Sequence, residues 1–158
     1  MQYNSPGDLH FLMAIDPATS GGCGWAMFLV NDGEWELLSA STVHGSAAQV
    51  ALTLAEVQTN FQSTYDIYVV GERPKRYATK RASHKNLDPL DEVLMRMQCN
   101  KTWTPQQWKG NVPKAVHHQR IRANVRLPAW TDSLDHNAWD AVALGLFALG
   151  VTKRGGVV

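Results

Sequence analysis

A chain of 158 residues, 44% hydrophobic and 18% charged, is long enough to bury a substantial core, and it is predicted to form one globular domain with no repeats. No apolar run reaches the length of a membrane span, the first ten residues lack the basic-then-apolar order of a leader, and the only cysteines, Cys23 and Cys99, form no zinc pattern. A reduced, cytoplasmic setting without membrane association is therefore expected. The net charge of +1 hides a sorting: 13 of the 15 Lys and Arg lie between Arg73 and Thr131 against three acids, a local charge of +10, and the remainder carries −9. A solvated face would usually place acids among such bases, yet none interrupts the seven basic residues between Val93 and Thr131, so a polyanionic partner is expected there.

Residues 11–15 (FLMAI) form an apolar run suited to a buried strand. Asp16 stands where the run stops, and Pro17 cannot continue a central strand. Residues 18–24 read as a small-residue turn into a second strand at 25–30, with Gly21, Gly22 and Gly24 leaving space beside the Asp16 carboxylate. Asn31-Asp32-Gly33 is a hairpin signal, and a third strand at 34–43 completes an antiparallel meander. Ser46 is the expected N-cap of a helix over 47–61, whose Val50, Leu54, Val57 and Phe61 share one face.

Residues 65–70 (YDIYVV) read as a fourth strand, which follows a helix and so is expected to lie parallel to the first. It runs into Gly71-Glu72-Arg73-Pro74, so a second carboxylate ends a strand on the rim where open α/β sheets build their sites. Residues 75–85 (KRYATKRASHK) have no apolar period and read as a basic loop, in which Tyr77 among Lys75, Arg76, Lys80 and Arg81 suits base stacking with phosphate contacts. A helix is expected over 88–99, an edge strand over 102–109 and a basic helix over 113–125 with Val116, Ile121 and Val125 apolar. The adjacent His117 and His118 point about 100° apart on a helix, which favours phosphate contact or solvation over shared metal binding.

Asp132 or Ser133 is expected to cap a last helix, in which Asp140 precedes the all-apolar AVALGLFALG. A carboxylate at the head of a buried helix must be paired or bind a metal. His136 and Asn137, four and three residues earlier, flank the same face, and Asp135 is a poorer candidate. Three acids converging on one rim suit Mg²⁺ or Mn²⁺ better than zinc. Two such ions would activate a water and stabilise the leaving oxygen of a phosphodiester.

The segments AIDPATSGGCGWAMF, VVGERP, PQQWKGNVPK and HNAWDAVALGLFAL, in this order, resemble the RuvC-like Holliday-junction resolvases, particularly their short phage-encoded members, over roughly residues 12–149. The resemblance implies an RNase H-like α/β fold with a mixed five-stranded sheet, a homodimer, Mg²⁺ dependence with two ions per site, and paired nicks in a four-way DNA junction that leave 5′-phosphate and 3′-hydroxyl ends. It matches Asp16, Glu72 and Asp140 to the family's metal-holding acids, and Lys109 and Lys114 to its basic residues near the junction. The chain departs from the family at Asn137, where an Asp or His is usual, leaving Asn137 or His136 to complete the site, with His136 suited to assist proton transfer. Arg73 and the basic residues from Lys75 to Arg81, with Lys109 and Lys114, are the expected DNA contacts, Tyr77 being an approximate match to the family's junction-wedging aromatic. The alternatives are a flap or RNA-processing nuclease of the same fold and a catalytically weak branched-DNA-binding protein.

Overall fold

Five strands carry the fold in this computed structural model, which describes residues 9–18, 22–61, 66–74 and 81–158, with backbone alone for 81–88. Strands β1 (His10–Pro17), β2 (Gly22–Asn31) and β3 (Glu34–His44) form the expected antiparallel meander. The β2–β3 hairpin turns on Asp32 and Gly33, whose φ values of 51° and 84° are those a two-residue turn demands. Helix α1 (Ala47–Phe61) opens on a reciprocal cap: the Gln49 N–H donates to Ser46 Oγ at 3.3 Å, and the Ser46 N–H donates to Gln49 Oε1 at 2.9 Å. It carries the chain to β4 (Ile67–Glu72), which lies parallel to β1, and β5 (Lys101–Trp103) lies parallel to β4. The resulting order, β3-β2-β1-β4-β5, is the mixed sheet anticipated.

Both faces of β1 and β4 are covered, which is why these strands read as continuous apolar runs. Period-two alternation sorts their side chains. Phe11, Met13, Ile15 and Val69 meet α1 and α2 (Arg81–Arg96) through Val50, Leu54, Val93 and Leu94. Leu12, Ala14 and Val70 meet α5 (His136–Ala148), which is buried from Asn137 to Ala148. Asp16 and Glu72 follow Ala14 and Val70 by two residues, so alternation directs both carboxylates toward α5. Small residues let that helix approach: a Cβ on Gly24 would strike the Asn137 carbonyl, and one on Gly145 would overlap the Phe28 ring.

Several elements depart from the sequence reading. β1 continues through Asp16 to Pro17, because its pairing with β4 stops at Ile15 and Gly71 and only β2 accompanies the proline. β2 starts at Gly22, and β4 is displaced to Ile67–Glu72. Helix α2 begins at Arg81, inside the expected basic loop, and ends at Arg96 with Pro89 in its interior. Arg, Ala, Lys and Leu are good helix formers, so a stretch without an apolar period can still be helical. The expected edge strand at 102–109 is only β5, after which Pro105 opens a short helix, α3 (Pro105–Trp108), at the position where a proline's absent N–H costs nothing. Helix α4 (Lys114–Asn124) buries Ile121, and Val125 just after it, as expected, but turns His117 inward at 2% exposure and leaves Val116 at 37%, the reverse of the expectation at those two positions. Asp132 and Ser133 fall in a 3-10 turn (Ala129–Ser133), and Asp135 caps α5, accepting the Ala138 N–H at 2.9 Å. Thr42 also donates to Asp135 Oδ1 at 2.6 Å, tying the head of α5 to β3. Among the described residues no helix is long and apolar enough to cross a membrane.

Candidate active site

Asp16 from β1, Glu72 from β4 and Asp140 from the first turns of α5 meet above the ends of the two parallel strands. Asp16 is buried and its carboxyl is hydrogen-bonded to that of Glu72. The remaining oxygens are held by the segment that follows β5. The Trp108 indole N–H donates to Glu72 Oε2 at 2.8 Å, and Lys109 Nζ stands 3.3 Å from the same oxygen and 3.6 Å from Asp140 Oδ2. Helix α4 supplies two more donors to Asp140: Lys114 Nζ at 2.7 Å from Oδ2 and His118 Nε2 at 2.8 Å from Oδ1.

This arrangement pulls the two aspartates apart in acidity. Burial above all, then the charges of Glu72 and Asp140, push the Asp16 carboxyl well above the usual carboxylate range, with Lys109 opposing them. Burial works in the same direction on Asp140, but the His118 hydrogen bond, the Lys109 charge and the Lys114 hydrogen bond prevail and hold it at about 2. Lys109 is itself raised: burial disfavours its charge, and Glu72, Asp16 and Asp140 outweigh burial. The site is thus a layered charge system, with a buried carboxyl of raised pKa at the Asp16 end and a cation-wrapped carboxylate at the Asp140 end.

Asn137 is buried, with its amide Nδ2 against Gly22 and its carbonyl against Gly24, so it serves the contact between α5 and β2. His136 is exposed at the start of α5, and Asp135 is the cap of that helix. Arg73 is exposed, with its backbone N–H bonded to the Trp103 carbonyl at 2.8 Å. Lys75, Arg76, Tyr77 and Lys80 lie outside the described residues, and Arg81 is described by backbone alone as the first residue of α2. Trp108 and His118 were not singled out from the sequence as site residues. His118 follows Lys114 by four residues, so the two share a face of α4, a spacing that could have revealed it. Nothing in the sequence marked Trp108, because its partner Glu72 lies 36 residues away in the chain.

Three carboxylates are a hard-oxygen donor set of the kind Mg²⁺ or Mn²⁺ takes; burial is the main cause of the raised Asp16, and the repulsion from Glu72 and Asp140 that adds to it is what a divalent cation would relieve. Among the described residues no three His, Cys, Asp or Glu side chains are spaced to close around one ion as they stand. The Lys109 ammonium holds the position between Glu72 and Asp140. The residues therefore fit a hard cation by donor chemistry, with a lysine serving as internal counter-charge.

No protein-family model matches the sequence, and no curated protein matches it. Solved structures do. Thermus thermophilus RuvC aligns over 91% of this chain and 98% of its own, at 18% identity and a TM-score of 0.58. The T. thermophilus RuvC complex with a Holliday junction substrate aligns over 89% and 94%, at 18% identity and a TM-score of 0.60. Fowlpox virus resolvase, in complex with its substrate Holliday junction DNA, aligns over 89% and 97%, at 13% identity and a TM-score of 0.52. At these identities the likeness is one of architecture, and the chain has the RNase H-like fold that T. thermophilus RuvC and fowlpox virus resolvase share, as its sequence motifs implied.

Proposed function

We propose that the protein is a divalent-metal-dependent, structure-selective endonuclease that cuts four-way DNA junctions. The observation that carries this reading is the meeting of Asp16, Glu72 and Asp140 at one rim beside Lys109, Lys114 and His118, in a fold otherwise seen bound to Holliday junctions. Two Mg²⁺ or Mn²⁺ ions held by the three carboxylates would supply an activated water and stabilise the leaving 3′ oxygen. The chain's own residues do the rest. Lys114, half-exposed at the mouth of the site, is placed to take a phosphate oxygen once DNA competes with Asp140 for its ammonium. Lys109 balances the carboxylates when no other cation does. The bases of segment 73–81 would hold the junction arms. Paired nicks require two sites related by symmetry, so the active form is a homodimer, matching the two-fold symmetry of an open junction.

The test is a gel assay of purified protein on a four-way junction, a flap and an RNA duplex at equal concentration, with and without Mg²⁺ or Mn²⁺. The expected result is metal-dependent nicking of the junction in preference to the other two, abolished by Asp16→Asn with junction binding retained. Preferential cutting of the flap or the RNA duplex would replace the substrate, and tight junction binding without nicking in either metal would replace the activity with that of a binding protein.

A further inference from the structure

Glu72 depends on one neighbour that does not titrate. Trp108 has no solvent-exposed surface, and its Nε1–H donates to Glu72 Oε2 at 2.8 Å. The ring is clamped by His117, edge-on at 5.2 Å and 82°, and by Phe147 at 6.4 Å, while Lys109 Nζ lies 4.7 Å from its centroid. An indole N–H is a donor only: it neither accepts nor changes protonation. Its bond therefore persists whatever charge the carboxylates carry, and it commits one named oxygen of Glu72. The face of the same ring meets the cation that bridges Glu72 and Asp140.

We propose that Trp108 is the positioning residue of the carboxylate set. Its N–H fixes the rotation of the Glu72 carboxyl by holding Oε2, and its ring face places the Lys109 ammonium between Glu72 and Asp140. The proposal rests on the nuclease reading in so far as Glu72 is taken to hold a divalent ion. A tryptophan that merely fills the core would need its ring shape, whereas a positioning residue needs its N–H.

Trp108→benzothienylalanine, in which sulfur replaces the N–H within nearly the same ring outline, separates the two roles, and Trp108→Phe provides a second variant. The full-length chain is titrated with Mn²⁺ by calorimetry without DNA, and its thermal midpoint and its affinity for a four-way junction are measured in EDTA. The Mn²⁺ dissociation constant should rise about 10–100-fold in both variants, as for other losses of a hydrogen bond to a ligating carboxylate. The benzothienylalanine variant should keep its junction affinity in EDTA, and its midpoint should fall less than that of Trp108→Phe, which also loses ring volume. In the wild type, a Mg²⁺ titration followed by NMR should move the Trp108 indole proton more than those of the other five tryptophans. A benzothienylalanine variant that binds Mn²⁺ as the wild type does, or a Trp108 indole resonance unmoved while Mg²⁺ binds, would overturn the positioning role alone. A wild type that binds neither ion overturns the metal-nuclease reading and the proposal with it.

Discussion

Asp140 and Asp16 sit in opposite electrostatic surroundings, so replacing each by its amide should move stability in opposite directions. Asp140 accepts from Lys114 Nζ at 2.7 Å and His118 Nε2 at 2.8 Å, and its carboxyl is held at about 2 against 3.8 for an unperturbed aspartate. A depressed carboxylate stabilises the fold above its unfolded value, and that contribution is lost as pH falls from about 4 toward 2. The gap is worth about 2 kcal/mol, which for a chain of this size lowers the thermal midpoint of Asp140→Asn by about 4–8 °C. Asp16 behaves in reverse, since burial, Glu72 and Asp140 raise it. The wild type should therefore lose stability as pH rises from the unfolded value through the raised one, and Asp16→Asn, free of this penalty, should be the more stable protein at pH 8. Calorimetric unfolding of both variants in EDTA at pH 5 and pH 8 provides the assay. The Asp140→Asn deficit should persist at both values, and the Asp16→Asn advantage should grow between them. Saturating Mg²⁺ should then favour the wild type, by about 2.7 kcal/mol at a hundredfold excess over the dissociation constant. Shifts of the same sign for the two variants in EDTA, or an Asp16→Asn advantage that shrinks with rising pH, would refute the reasoning.

Burial, then the nearby His118 and Lys109, push the His117 imidazole down to about 4, so the fold loses stability as pH falls from 6.5 toward that value. Urea unfolding should show this loss, about 3 kcal/mol by pH 4, and His117→Phe should flatten the curve in that window whatever its absolute stability. Neutralising Lys75, Arg76, Lys80 and Arg81 should flatten the salt dependence of junction affinity, each lost phosphate contact changing the log–log slope by about 0.9; an unchanged slope places the DNA elsewhere. Gly24→Ala should cost about 1–3 kcal/mol in urea unfolding, because the new Cβ meets the Asn137 backbone carbonyl and cannot be relieved by a rotamer change.

Local rules carried much of the fold. The Ser46 cap, the Asp32-Gly33 turn and the apolar runs of β1 and β4 each depend on neighbours a few residues away; the cap and the turn are found where the sequence places them, and the two strands within two residues of it. The errors fell where a local signal has two physical readings. Pro105 suits an edge strand or a helix start equally, and a basic stretch without apolar period is as compatible with the first turns of a helix as with a loop. On α4, hydropathy favoured Val116 for the interior, and the ring contact with Trp108 chose His117.

The sequence by itself determined which acids are set apart from the ordinary surface: Asp16 and Glu72 end buried strands, and Asp140 heads a buried helix, so each needs a partner. Only the tertiary structure decided which partners they have. Trp108 reaches Glu72 from 36 positions away and His118 reaches Asp140 from 22, with Lys109 and Lys114 beside them, while the His136 and Asn137 expected from helical spacing are exposed and packed against β2 respectively. Strand alternation and helix period act over a few residues and can single out a group that must be compensated. The compensation comes from whichever side chains the packing of α3 against β5 and of α4 against α5 happens to bring within hydrogen-bonding distance, and no periodicity in the chain encodes it.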